Sequence, residues 1–174
     1  MRRLALLLAA VALPFALAAT ATAAAPVTTI ISADGVPHLS PRFSNICGFP
    51  IYRTETGTFK ETSFYDNSGT LLRVEDRSYG GPYSVTLTNP ATGRSTTTQS
   101  SAFQSTFIYN PDGSLASLSR SGVFFNFTAP GEGTLLRSVG HEAVDVASDT
   151  FFDAGVNDIA SGNTAALCNY LATP

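Results

Sequence analysis

Hydrophobic and polar residues alternate with a period of two along most of this chain, and turn residues interrupt the alternation at short intervals. Between Leu71 and Phe127 the pattern reads "LLRVEDRSY", "YSVTLTN", "RSTTTQSSAFQSTFIYN", "SLASLSRSG" and "VFFNF", separated by "GGP", "NPATG" and "NPDG". A period of two is that of a β-strand with one buried and one wet face. Gly allows positive φ, Pro presets φ, and Asn or Asp closes a turn through its side chain, so each separator predicts a tight antiparallel connection. The cleanest face is Tyr83, Val85 and Leu87 against Ser84, Thr86 and Thr88. In the preceding strand Arg73, Glu75 and Arg77 share one face as a ladder of charges, with Leu72 and Val74 on the other. Arg94 to Asn110 is longer than an ordinary strand, which predicts a bulge or bend near Ser100 to Ala102.

Upstream, Val27 to Ile31 reads as an edge strand, and the prolines that follow predict an extended surface segment with His38 in a loop. A strand is expected from Cys47 to about Glu55, then "TFKETSFYD", whose two faces are both mixed. The turn Asp66, Asn67, Ser68, Gly69 resembles a calcium loop only in part, and a hairpin explains it. Downstream, "TLLRSVGHEAVDV" is a strand in which Gly140 marks a bulge or a close backbone approach. The last stretch, "NTAALCNYL", has helical character: Asn163 is placed to cap it and Leu167 with Tyr170 or Leu171 to face inward.

These elements define an all-β antiparallel meander of about eight or nine strands with a short C-terminal helix. Closing it into a small barrel would remove the exposed edges, so a barrel is expected first and a two-sheet β-sandwich second.

The N-terminus changes the picture of where the protein works. Arg2 and Arg3 precede the apolar run "LALLLAAVALPFALAA", which ends at Ala21-Thr22-Ala23, a small-residue cleavage pattern. The organisation expected is therefore a signal peptide at 1–23 cleaved after Ala23, an extended segment at 24–46 and a single β-domain at 47–174, secreted with no permanent membrane anchor. Without the leader, 8 basic residues face 13 acidic ones, a formal −5, which argues against nucleic acid as a partner. Of the ten basic residues nine are Arg, which together with the Ala-rich leader fits a GC-rich bacterial genome. The only two cysteines, Cys47 and Cys168, lie near opposite ends of the domain, and an exported chain meets oxidising conditions, so a disulfide between them is expected.

No motif demands a particular chemistry. In "RSVGHEAVD", Arg137, His141 and Asp145 share a strand face and Glu142 takes the other, but residues four apart on a strand are about 13 Å apart. A second in-domain histidine is lacking and both cysteines are assigned to a disulfide, so neither a metal site nor any cofactor is expected. There is no Gly-x-Ser-x-Gly elbow, and His141 is the one plausible base, so a hydrolase pairing His141 with a strand carboxylate is the enzymatic alternative. Even-spaced aromatics point instead to binding. Tyr83, Phe103, Phe107 and Phe125, with His141, are the candidate ligand-binding set; their competing role is to fill the core.

The segments "ICGFPI", "LTNPATGRS" and "LCNYLA" resemble a family of small secreted proteins of high-GC Gram-positive bacteria, with a Cys-Gly-Phe-Pro opening and a late Cys. The family has no assigned activity, so the resemblance implies secretion, the disulfide and the β-fold, and transfers no functional residue. Lipocalins fit less well, because their Gly-x-Trp signature cannot occur in a chain without Trp. The expectation is a secreted, non-enzymatic β-protein that binds a small apolar ligand or an extracellular partner; a surface structural module is the other alternative.

Overall fold

In the computed structural model, which describes residues 24–98 and 102–174, the alternating stretches form eleven strands. The signal peptide expected at 1–23 lies outside the described residues. Seven strands make one antiparallel sheet in the order β1 (Val27–Ser32), β4 (Thr58–Tyr65), β5 (Leu71–Ser78), β8 (Phe103–Tyr109), β9 (Leu115–Ala129), β10 (Gly133–Asp145), β11 (Thr150–Asn157). Four make a second sheet in the order β2 (His38–Leu39), β3 (Tyr52–Thr56), β6 (Ser84–Thr88), β7 (Ser95–Thr97).

Neither sheet closes, so the barrel expectation is corrected to a two-sheet arrangement. Where closure would occur, β7 meets β9 through a single bridge, Thr98 to Phe127, and the Thr96 hydroxyl donates to the Thr128 carbonyl at 2.8 Å. The cause lies in the stretch Arg94 to Asn110. Instead of one bent strand it supplies β7 to the small sheet and β8 to the large one, and the bend expected near Ser100 to Ala102 falls largely on residues 99–101, outside those described. β1 and β11 remain as edges, and β11 exposes Phe151, Phe152 and Val156.

β9 and β10 form one long hairpin that belongs to both layers. Their outer parts carry the large sheet, while Phe127, Ala129, Leu135 and Leu136 at the turn end join the core under the small sheet. The expected break between "SLASLSRSG" and "VFFNF" is absent as a turn; Gly122 instead sits inside one strand, cross-paired with Gly140, which pairs with Gly155. A Cβ on Gly122 would lie 2.2 Å from the Ala102 carbonyl oxygen and one on Gly140 would lie 2.1 Å from that of Ala154, and both have positive φ (117° and 145°). Gly140 thus marks a close backbone approach, as its position in the strand implied, and these glycines let the hairpin bend from one layer toward the other.

The core combines Phe43, Ile51, Tyr83, Val85, Leu87, Phe127, Leu136, Leu167 and Leu171, all nearly or fully buried. Three of these residues, Phe43, Leu167 and Leu171, come from two helices. α2 (Ala165–Ala172) is the helix read from "NTAALCNYL", with Thr164 rather than Asn163 at its N-cap. α1 (Pro41–Cys47) corrects the extended reading of the proline-rich segment and the strand start at Cys47. Proline is excluded from a helix interior but suits its first turn, where no N–H is needed. Pro41 stands there, Phe43 and Ile46 turn inward, and Gly48 at φ 76° closes the helix with its N–H on the Ser44 carbonyl at 2.8 Å. Cys47, at the end of α1, is bonded to Cys168 in α2, with Cα atoms 5.2 Å apart. A bond spanning 121 positions stabilises the fold by roughly 2–4 kcal/mol, mainly by restricting the unfolded chain.

The "LTNPATGRS" turn has a definite structural task. Asn89 Nδ2 and Thr92 Oγ1 donate to the Leu171 carbonyl at 3.0 and 2.7 Å, and Arg94 Nε donates to that of Thr173 at 3.1 Å. These are carbonyls that the end of α2 leaves without helical partners. The Arg94 guanidinium also lies 4.8 Å from the centre of the Tyr170 ring.

Candidate binding groove

The inner face of the large sheet carries a transverse row of polar residues. Cross-strand pairing places Glu61, Asp76, Ser105, Arg120, Glu142 and Asp153 side by side on β4, β5, β8, β9, β10 and β11. Such a row can be buried only if its members satisfy one another. At one end they do: Glu142, nearly buried, accepts from Arg120 Nη2 at 2.6 Å and from Asn157 Nδ2 at 2.9 Å. At the other end they do not. Asp76 Oδ1 is buried with no hydrogen-bond donor among the described residues, and burial, reinforced by the neighbouring Glu61 charge, pushes its carboxyl up to about 6.

The small sheet faces the Arg120 end of this row. β3 contributes Arg53, paired with Glu55, and Tyr83 leads into β6. Burial, and then the nearby Glu55 carboxylate, pushes the Tyr83 phenol up. Between the layers lies a cavity of about 90 Å³ lined by Arg53, Tyr83, Phe103, Ser105, Arg120 and Phe125, with Val85 and Phe124 completing its wall. Tyr83 meets Phe103 edge to face at 5.7 Å. The Arg120 guanidinium carbon lies 5.2 Å from the Phe124 ring centre, and that of Arg53 lies 6.0 Å from Phe125. A second hollow of about 210 Å³ is lined by Arg53 and Glu55 together with His38, Leu39, Ser40 and Pro41. Arg53 lines both hollows.

Of the residues singled out in the sequence, the structure brings Tyr83, Phe103 and Phe125 together at this cavity. Phe125 also stacks on Phe127 at 5.6 Å and meets Phe43 edge to face at 5.4 Å, so it serves the core as well. Phe107 is on the same sheet face, half-buried in an apolar row between Val74 and Leu118, and does not line the cavity. His141 stands apart on the opposite, exposed face, its Nδ1 3.0 Å from the Ser121 hydroxyl and its ring 6.0 Å from that of Phe152. No carboxylate is hydrogen-bonded to it among the described residues: Glu142 faces the groove side, and Asp145 accepts from Ser148 in a turn. Arg73, Glu75 and Arg77 do form the charge ladder, with contacts of 3.3 and 3.5 Å. Asp66 accepts from the backbone of Ser68 and Thr70 at 2.8 and 2.9 Å, which fixes its loop as a hairpin turn. Among the described residues no group of three or more His, Cys, Asp or Glu is placed to hold a metal ion.

The sequence reading passed over Arg53, Ser105 and Arg120. A visible signal existed for Arg120, the single charge in "SLASLSRSGVFFNF", since a lone charge in a half-buried strand needs a partner.

No protein-family model, curated protein or solved structure matches this chain.

Proposed function

We propose that the protein is exported and acts as a non-enzymatic binding protein that holds a ligand in the groove between its two sheets. One observation carries this reading: aromatic rings and two arginines from both layers converge on a single cavity. Ligand sites combine apolar walls with a few convergent polar groups in this way. The ligand in this reading is amphipathic, since drug-sized ligands occupy roughly 300–1,000 Å³ and the inner cavity, with arginines in its wall, is about 90 Å³. The inner cavity suits one chemical group of a ligand, and the outer hollow its remainder. Export is supported by the leader sequence and is compatible with the disulfide.

Native mass spectrometry of the oxidised protein, after incubation with the small-molecule fraction of its host's culture medium, tests this reading. A discrete adduct that disappears in Arg53→Gln and keeps its mass on prolonged incubation is the expected result. No adduct on the wild type refutes binding; an adduct whose mass changes with time refutes the non-enzymatic assignment.

A further inference from the structure

The geometry points to a carboxylate as the group that the inner cavity receives. This inference rests on the binding reading above and specifies its chemistry. Two arginines line the cavity, Arg53 from β3 and Arg120 from β9, while Arg42 of α1, which lines neither hollow, is near enough for their charges and that of Glu142 to act on it. Two carboxylates face them, Glu55 on Arg53 and Glu142 on Arg120. Arg42 has no carboxylate within ion-pair distance among the described residues. Two of the eight basic residues outside the leader line this one small cavity, in a chain that is otherwise acidic.

Hydrogen bonding points the same way. The Nε atoms of Arg53 and Arg120 are buried, and neither has an acceptor among the described residues. Both side chains line the cavity, as do Ser105 and Tyr83. The site thus has guanidinium donors left over, and what it lacks is an acceptor. The volume of about 90 Å³ corresponds to about three waters at their liquid density, enough for a carboxylate and a methylene or two. A planar two-oxygen acceptor is also the group that guanidinium geometry recognises best.

Titrating the isotopically labelled, oxidised protein with propionate, and separately with its neutral isostere propionamide, tests the inference by amide NMR. Propionate is expected to shift the amides of Val85, Phe103 and Ser105 saturably, with an apparent affinity about tenfold or more above that of propionamide. Arg53→Gln is expected to abolish that preference, and Arg53→Lys, which retains the charge, to keep part of it. Equal shifts with both probes overturn the carboxylate assignment while leaving a groove that binds ligand. No saturable shift with either also overturns it, and the adduct experiment then decides the binding reading independently.

Discussion

The Arg120–Glu142 pair links the two strands of the long hairpin and, through Asn157, the end of β11, so its removal has a computable pattern of effects. The partners are unequally exposed: 33% of the Arg120 side chain is accessible against 8% of Glu142. Arg120→Met leaves a buried carboxylate whose remaining hydrogen bond is from Asn157, and breaking a buried pair this way costs about 3–5 kcal/mol. Arg42 beside Glu142 offsets part of that, which places the cost near the lower end, about 3 kcal/mol. Glu142→Leu leaves an arginine that reaches water, and costs less, about 1–2 kcal/mol. The double variant removes both charges and is expected to resemble Glu142→Leu, not the sum of the two. Urea unfolding of the oxidised proteins measures each value, and thermal melts should show Arg120→Met lower by about 6–12 °C. Additivity of the two single changes within about 0.5 kcal/mol would refute the argument, because it would mean that the 2.6 Å contact carries no coupling.

Two further predictions follow from the row and the hairpin. Asp76 titrates at about 6 in the folded chain and near its ordinary value of 3.8 when unfolded, so the folded state binds the extra proton between those values. Its contribution to stability is full below about pH 4 and lost as pH rises through about 6; Asp76→Asn should flatten that slope and raise stability at pH 7 by about 1–2 kcal/mol, read from urea midpoints. Gly140→Ala should cost more than 3 kcal/mol and accelerate amide exchange in β11, because its Cβ meets the Ala154 carbonyl oxygen at 2.1 Å; Gly113→Ala, equally left-handed but facing open space, should cost about 1 kcal/mol.

Much of the local structure was legible because it depends on neighbours in sequence. Tyr83, Val85 and Leu87 declare a buried face through their spacing alone, and the Asp66 and Asp112 turns announce themselves by residue type. What sequence failed to show depends on position within an element or on packing between elements. Pro41 reads as a helix breaker until it is placed at the first turn of α1. The division of Arg94 to Asn110 between two sheets is settled by where β9 finds its neighbours, which no local pattern encodes. The groove was half-legible for the same reason. Its aromatics stood out by composition, whereas Arg53 and Arg120 acquire meaning only when the small sheet is folded over the large one.

The link between α1 and α2 also determines what happens when the chain is cut. Among the described residues, Cys47 and Cys168 close a covalent ring that contains nine of the eleven strands, β3 to β11, and leaves β1 and β2 outside it. Hydrolysis of any one peptide bond in an exposed turn inside that ring, such as those at Asp66 to Gly69 or Pro111 to Gly113, opens the ring without releasing a fragment. Each piece keeps one half of the cystine. A singly nicked molecule would therefore run as one species until reduced, and would differ from the intact chain by the mass of a single water.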